Sequence, residues 1–127
     1  MSAAFSVLPV SQPGFSLNPS YNGSTVVVHM SGNADMNAQQ TLSTALRQVH
    51  SEAMRLGVSE VVCDLDELYF MNSSCFKCLV TWVTSLLATD PGKRYRIRVR
   101  SNRQLAWQRR SVEALRCLAE RIVIVES

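Results

Sequence analysis

Apolar residues change their spacing several times along the chain, and each change marks an element. Phe15 to Met30 holds two strand-like runs around Asn22-Gly23. Both residues of that pair tolerate the positive φ of a type I′ turn, so a hairpin is expected there. The second run, from Ser24 to Met30, is rich in β-branched residues and reads as a well-buried strand. Ser31 to Asp35 follows as a loop. Leu42, Ala45, Leu46, Val49, Ala53 and Leu56 then recur at spacings of three and four, one apolar stripe of a long helix that Gly57 stops.

Val58 to Leu65 reads as a central strand, with Val61, Val62 and Cys63 consecutive. Leu68 to Met71 leads into Asn72-Ser73-Ser74, which are helix-capping residues, and a helix is predicted from Ser73 to Ala88 with Leu79, Trp82, Val83 and Leu86 on one face. After the turn at Asp90-Pro91-Gly92, Arg94, Arg96, Arg98 and Arg100 alternate with Tyr95, Ile97 and Val99, a half-buried strand. Helical patterns at 103–109 and 112–120 precede a last strand at 122–125. The order β-β-α-β-α-β-α-β predicts an α/β domain: a mixed sheet of four to five strands with helices mainly on one face.

The length, 127 residues, fits one domain able to bury a core without staples. Residues 1–13, rich in Ser, Ala and Pro, are expected to form a flexible arm that packs at most locally through Phe5, Val7 and Leu8, leaving 14–127 as the domain. No apolar run approaches the ~20 residues of a membrane helix, so no membrane insertion is expected. No basic region opens a secretory signal, and the cysteines therefore read as reduced thiols in a cytoplasmic protein. Charge is uneven: residues 1–46 carry only Asp35, 47–90 sum to −3, and 91–127 hold ten bases against three acids. Such a split speaks of acidic partners rather than of fold.

Few residues suggest catalysis. Neither phosphate-cradling glycine motif occurs, and no nucleophile elbow is present. His29 and His50 have no nucleophile at a telling spacing and read as structural. Cys75-Phe76-Lys77-Cys78 is a C-x-x-C at a helix start, where a dipole could acidify a thiol. A zinc site would need two more ligands, which the spacing of the remaining Cys and His does not supply. The Arg-faced strand lacks stacking aromatics on its own face, so nucleic acid is not the expected partner; it reads as a protein-facing surface, a solvated face or protection of a sheet edge. Ser73 and Ser74 act as helix caps in the plain reading. In the sharper one, a phosphate on one of these serines meets the free N–H groups and positive end of the helix, and its charge repels an acidic partner or its bulk and hydration break a close interface. Lys77, a cation in the first turns, suits a visiting anion.

The segment from Val61 to Lys77 resembles the signature of the STAS domain of bacterial anti-sigma factor antagonists. There an apolar strand ends in an acidic stretch, and Phe-Met/Ile-Asp-Ser-Ser-Gly-Leu-Gly opens the next helix; here the match is Phe70-Met71-Asn72-Ser73-Ser74-Cys75-Phe76-Lys77. Upstream, Met30 to Asp35 resembles the family's Leu-x-Gly-Glu-Leu-Asp, and the likeness covers roughly residues 15–125. The resemblance implies a non-enzymatic bacterial signalling domain without cofactor or metal that binds a GHKL-type serine kinase/anti-sigma factor. It implies Ser73 as the phosphorylated residue, and Asp35, Asn72, Ser74, Cys75 and Lys77 as the partner-binding surface. The chain departs from the family where Asn72 replaces Asp and where Cys75 and Lys77 replace glycines, side chains expected to alter docking. Two alternatives stay open: a phosphorylation-independent scaffold or sensory module of the same fold, and a dithiol redox protein using Cys75 and Cys78. The oligomeric state is left open.

Overall fold

The computed structural model describes residues 5–126. Its strands are β1 (Val10–Gln12), β2 (Phe15–Tyr21), β3 (Thr25–Ala34), β4 (Glu60–Met71), β5 (Arg96–Arg100) and β6 (Val123–Glu126); its helices are α1 (Gln39–Leu56), α2 (Ser73–Leu87) and α3 (Ala106–Leu118). Strand order in the sheet equals chain order. β1, β2 and β3 pair antiparallel, and β3 to β6 pair parallel. Each parallel step advances one strand in the same direction. Right-handed crossovers of that kind put every connecting helix on the same side. Helix residues such as Leu46, Leu79 and Leu115 accordingly share one core with Val26, Val28, Val61, Ile97 and Val99.

The fold is the expected α/β layer, with one strand more than the expected four to five. The addition is β1, within residues 1–13. Its Val10 pairs with Leu17, while Val7 is buried and Phe5 packs against the core and the Tyr21 ring; Leu8 stays exposed. Residues 1–4 of the expected arm lie outside the described residues.

Four local expectations outside β4 are corrected. The hairpin after Tyr21 is not type I′: only Gly23 has positive φ (99°), and Asn22 instead accepts from the N–H groups of Ser24 (3.0 Å) and Thr25 (2.8 Å) through its side chain. β3 does not stop at Met30 but runs on through Ala34, because Gly32 (φ +92°) lets the strand pass close under the Gly14 turn. The two helical patterns after Asn102 form one helix, α3. The arginine strand β5 lies between β4 and β6, so its charges do not guard an edge. They are largely matched instead: Arg98 pairs with Glu60 (3.1 Å), Arg100 with Glu126 (3.5 Å), and Arg94 donates to the carbonyls of Leu87 and Thr89 at the end of α2.

β4 positions the site. Sequence suggested a strand ending at Leu65, but β4 continues to Met71 with two register shifts against β3. Between His29 and Ser31, β4 advances from Asp64 to Glu67; between Gly32 and Asn33 it advances from Leu68 to Phe70. Each step adds one residue to β4, a bulge that turns consecutive side chains outward. Leu65, Leu68 and Met71 are therefore buried at intervals of three, with Asp66-Glu67 and Tyr69-Phe70 exposed between them.

β4 also outruns β5, whose pairing ends at Asp64–Arg100. The carbonyls beyond that point are met by side chains from α3 and the loop before it. Gln108, fully buried, donates to Leu65 O (2.6 Å) and Leu68 O (2.9 Å) and accepts from the Asn102 N–H (2.7 Å). Asn102 donates to Asp66 O, and the Trp107 indole to Tyr69 O. α3 thus acts as a substitute edge partner that holds the bulged end of β4 in place.

Candidate functional site

β3 and β4 end side by side, and their ends build the site. The Asn72 N–H donates to Ala34 O (2.9 Å), joining the two strand ends. Past Ala34, Asp35 caps a single 3-10 turn (Met36–Ala38) by accepting from the Asn37 N–H at 2.9 Å. Past Met71, Asn72 takes an extended conformation (φ −80°, ψ 172°), and its side chain accepts from the Cys75 N–H at 2.9 Å. That geometry caps α2 and leaves Ser73 and Ser74 exposed in its first turn. No acidic side chain occupies that turn, so the positive end of a 15-residue helix is uncompensated there.

The structure brings together Asp35, Asn72, Ser73, Ser74 and, one turn along, Lys77. Ser73 and Lys77 are four residues apart, which places them on one helix face; both are exposed. The assignment of Cys75 to the partner surface is corrected. Its side chain is 0% exposed, with Sγ against Asp35 O (3.3 Å), so it faces inward and ties α2 to the Asp35 loop. Of Cys75 and Lys77, only the side chain of Lys77 reaches the surface.

Sequence reasoning missed an apolar rim around these residues. Met36 is 80% exposed, Tyr69 57% and Phe70 47%. All three lie at the ends of β3 and β4, beside the α2 start. The signal was present in Tyr69-Phe70, two adjacent aromatics that a strand of strict alternation could not both bury.

The thiols do not have the character a redox dithiol requires. Burial pushes Cys75 up to about 11, with Cys78 and Asp35 adding to the effect, and burial raises Cys78 as well. Buried Cys63 is pushed up to about 12. A reactive dithiol needs the opposite shift in at least one member. Titration of the native protein with a thiol reagent near pH 8 is expected to modify only the exposed Cys117 quickly, the other three reacting on unfolding. Rapid modification of a second thiol would reinstate the dithiol. Among the described residues, no group of three or more His, Cys, Asp or Glu is placed to hold a metal ion, and no helix is long and apolar enough to cross a membrane.

No protein-family profile and no curated protein matches the chain by sequence. Solved structures do match. An anti-sigma factor antagonist from Mycobacterium paratuberculosis superposes with a TM-score of 0.66 at 17% identity, over 91% of this chain and 90% of that one. The anti-sigma factor antagonist SpoIIAA in its unphosphorylated form gives 0.59 at 14% identity, covering 87% and 88%. A STAS domain of an anti-sigma factor antagonist from Rhodobacter sphaeroides gives 0.52 at 13%, covering 70% and 88%. The element order, the mixed sheet with helices on one face and these superpositions agree, and the chain has the STAS-like fold of the anti-sigma factor antagonists.

Proposed function

We propose that the protein is a non-enzymatic bacterial signalling domain of the anti-sigma factor antagonist type, acting in the cytoplasm. It docks a GHKL-type serine kinase/anti-sigma factor through the α2 start, and phosphorylation of Ser73 releases it. The observation that carries this reading is Ser73 itself: an exposed hydroxyl in the first turn of a capped helix, with exposed Met36, Tyr69 and Phe70 around it. A docking surface combines apolar anchors with polar contacts, and Asp35, Asn72, Ser74 and Lys77 supply the polar contacts. A phosphoserine adds a charge of about −1.5 to −2 in the middle of that surface. The helix end and Lys77 stabilise it within the folded domain, so release requires no unfolding. One of the structural relatives, the Bacillus cell fate determinant SpoIIAA (TM-score 0.56, 17% identity), was solved in a phosphorylated form, which fits the same reading.

A phosphorylation-independent scaffold of the same fold is the second reading. It is favoured by Asn72, neutral where the family has Asp, and by Lys77 in place of a glycine. Capture of the tagged protein from its host, with mass spectrometry of what co-purifies and of the bait, separates the two. The switch reading expects a GHKL-type kinase in the eluate and phosphate on Ser73 in a fraction of the bait. Signalling proteins without such a kinase, and an unmodified Ser73, would replace it with the scaffold.

A further inference from the structure

A cavity of about 390 Å³ opens between α1 and α2, on the helical side of the sheet. Its size lies within the range of small-molecule sites. Leu46, Cys78 and Trp82 form an apolar floor, Arg47 and Lys77 flank it, and His50 lines it; no acidic residue does. Neither Arg47 nor Lys77 has an ion-pair partner among the described residues.

Hydrogen-bond bookkeeping assigns the polarity of the deepest group. The Trp82 indole nitrogen can only donate, and it donates to the Tyr95 hydroxyl oxygen at 2.7 Å. Tyr95 is buried, so its own proton must also find an acceptor, and the His50 Nδ1 lies 2.7 Å from the same oxygen. His50 therefore accepts at Nδ1. Burial lowers its pKa, which keeps the ring neutral with its proton on Nε2. The relay Trp82 to Tyr95 to His50 thus ends in an N–H donor on a residue that lines the cavity. Two cations, an oriented donor and an apolar floor describe complementarity to an anion that carries an apolar body.

We propose that this cavity is a binding site for a small amphiphilic organic anion, a carboxylate on an apolar chain or ring. Arg47 and Lys77 bind the carboxylate together with the His50 Nε2–H, and Leu46 and Trp82 contact the apolar body. This site lies beside the proposed docking surface and shares Lys77 with it.

The test titrates the ¹⁵N-labelled full chain with octanoate, and in parallel with 1-octanol, while following the amide spectrum. Octanoate is expected to give saturable shifts concentrated in residues 39–51 and 77–85 and to bind about ten-fold more tightly than the alcohol. The double variant Arg47→Ala/Lys77→Ala should lose that preference while its far-UV CD is unchanged. Imidazole ¹⁵N signals should show His50 protonated on Nε2. Shifts that do not saturate through the millimolar range, that centre elsewhere, or that are matched by octanol would overturn the proposal. So would an undiminished preference in the double variant, or His50 protonated on Nδ1.

Discussion

Gly32→Ala is expected to destabilise the domain by about 3 kcal/mol or more, a loss near the upper end for single substitutions. Two costs coincide at this position. At φ +92° any L side chain is strained, by roughly 1–2 kcal/mol. In addition, an ideal Cβ would lie 2.1 Å from Gly14 O and 2.9 Å from Gly14 C, backbone atoms that cannot rotate aside. Separation of the two segments would also break the hydrogen bond from the Asn33 N–H to Gly14 O (2.6 Å), just upstream of the Asp35 loop. Gly23 is the internal control. Its φ is +99°, but a Cβ there meets nothing within 4 Å, so Gly23→Ala should show the conformational cost alone. Denaturant melts of both variants measure the difference. Equal losses at the two positions would mean that the β3–Gly14 approach is looser than described.

The second large effect is expected at Gln108. Replacement by Leu keeps the volume but strands Leu65 O, Leu68 O and the Asn102 N–H in a dry site. Unpaired buried groups cost roughly 1–3 kcal/mol each, and apolar burial by Leu offsets part of that. A net loss of about 3 kcal/mol is expected from equilibrium unfolding. Trp107→Phe, which removes one bond at the outer part of the same edge, should cost only about 1 kcal/mol. If Gln108→Leu were neutral, the bulged end of β4 would not depend on α3 for its edge. Where it is destabilising, hydrogen exchange should rise first in residues 65–71, the segment that presents Tyr69, Phe70 and Asn72.

The helices were the most readable elements. In α1 the stripe from Leu42 to Ala53 and the left-handed Gly57 (φ 66°) act within one turn of each other, so local spacing suffices. In α2 the cap was equally local: Asn72 accepts from a backbone N–H three residues on. Cys75 was misassigned to the surface although its spacing carried the answer. It stands four residues before Leu79, and so belongs to the buried stripe of that helix rather than to its surface. β4 was harder, because its bulges replace alternation with burial every third residue, a spacing that belongs to neither a regular strand nor a helix. Contacts between distant segments were not readable at all. Gln108 reaches carbonyls 40 and 43 residues away along the chain, and His50 meets Tyr95 at a separation of 45. Each is explained by satisfaction of buried polar groups, a constraint that acts only once the sheet has brought the segments together.

The most direct test of the proposed switch is the affinity of a GHKL-type kinase co-purified with the protein for the wild type, Ser73→Ala and Ser73→Asp, measured by titration calorimetry with far-UV CD on each variant. With Ser73 as the switch, the Ala variant binds as the wild type does, and the Asp variant binds about ten-fold or more weakly, with its fold intact. Equal binding by all three well-folded proteins would contradict a phosphorylation switch at Ser73.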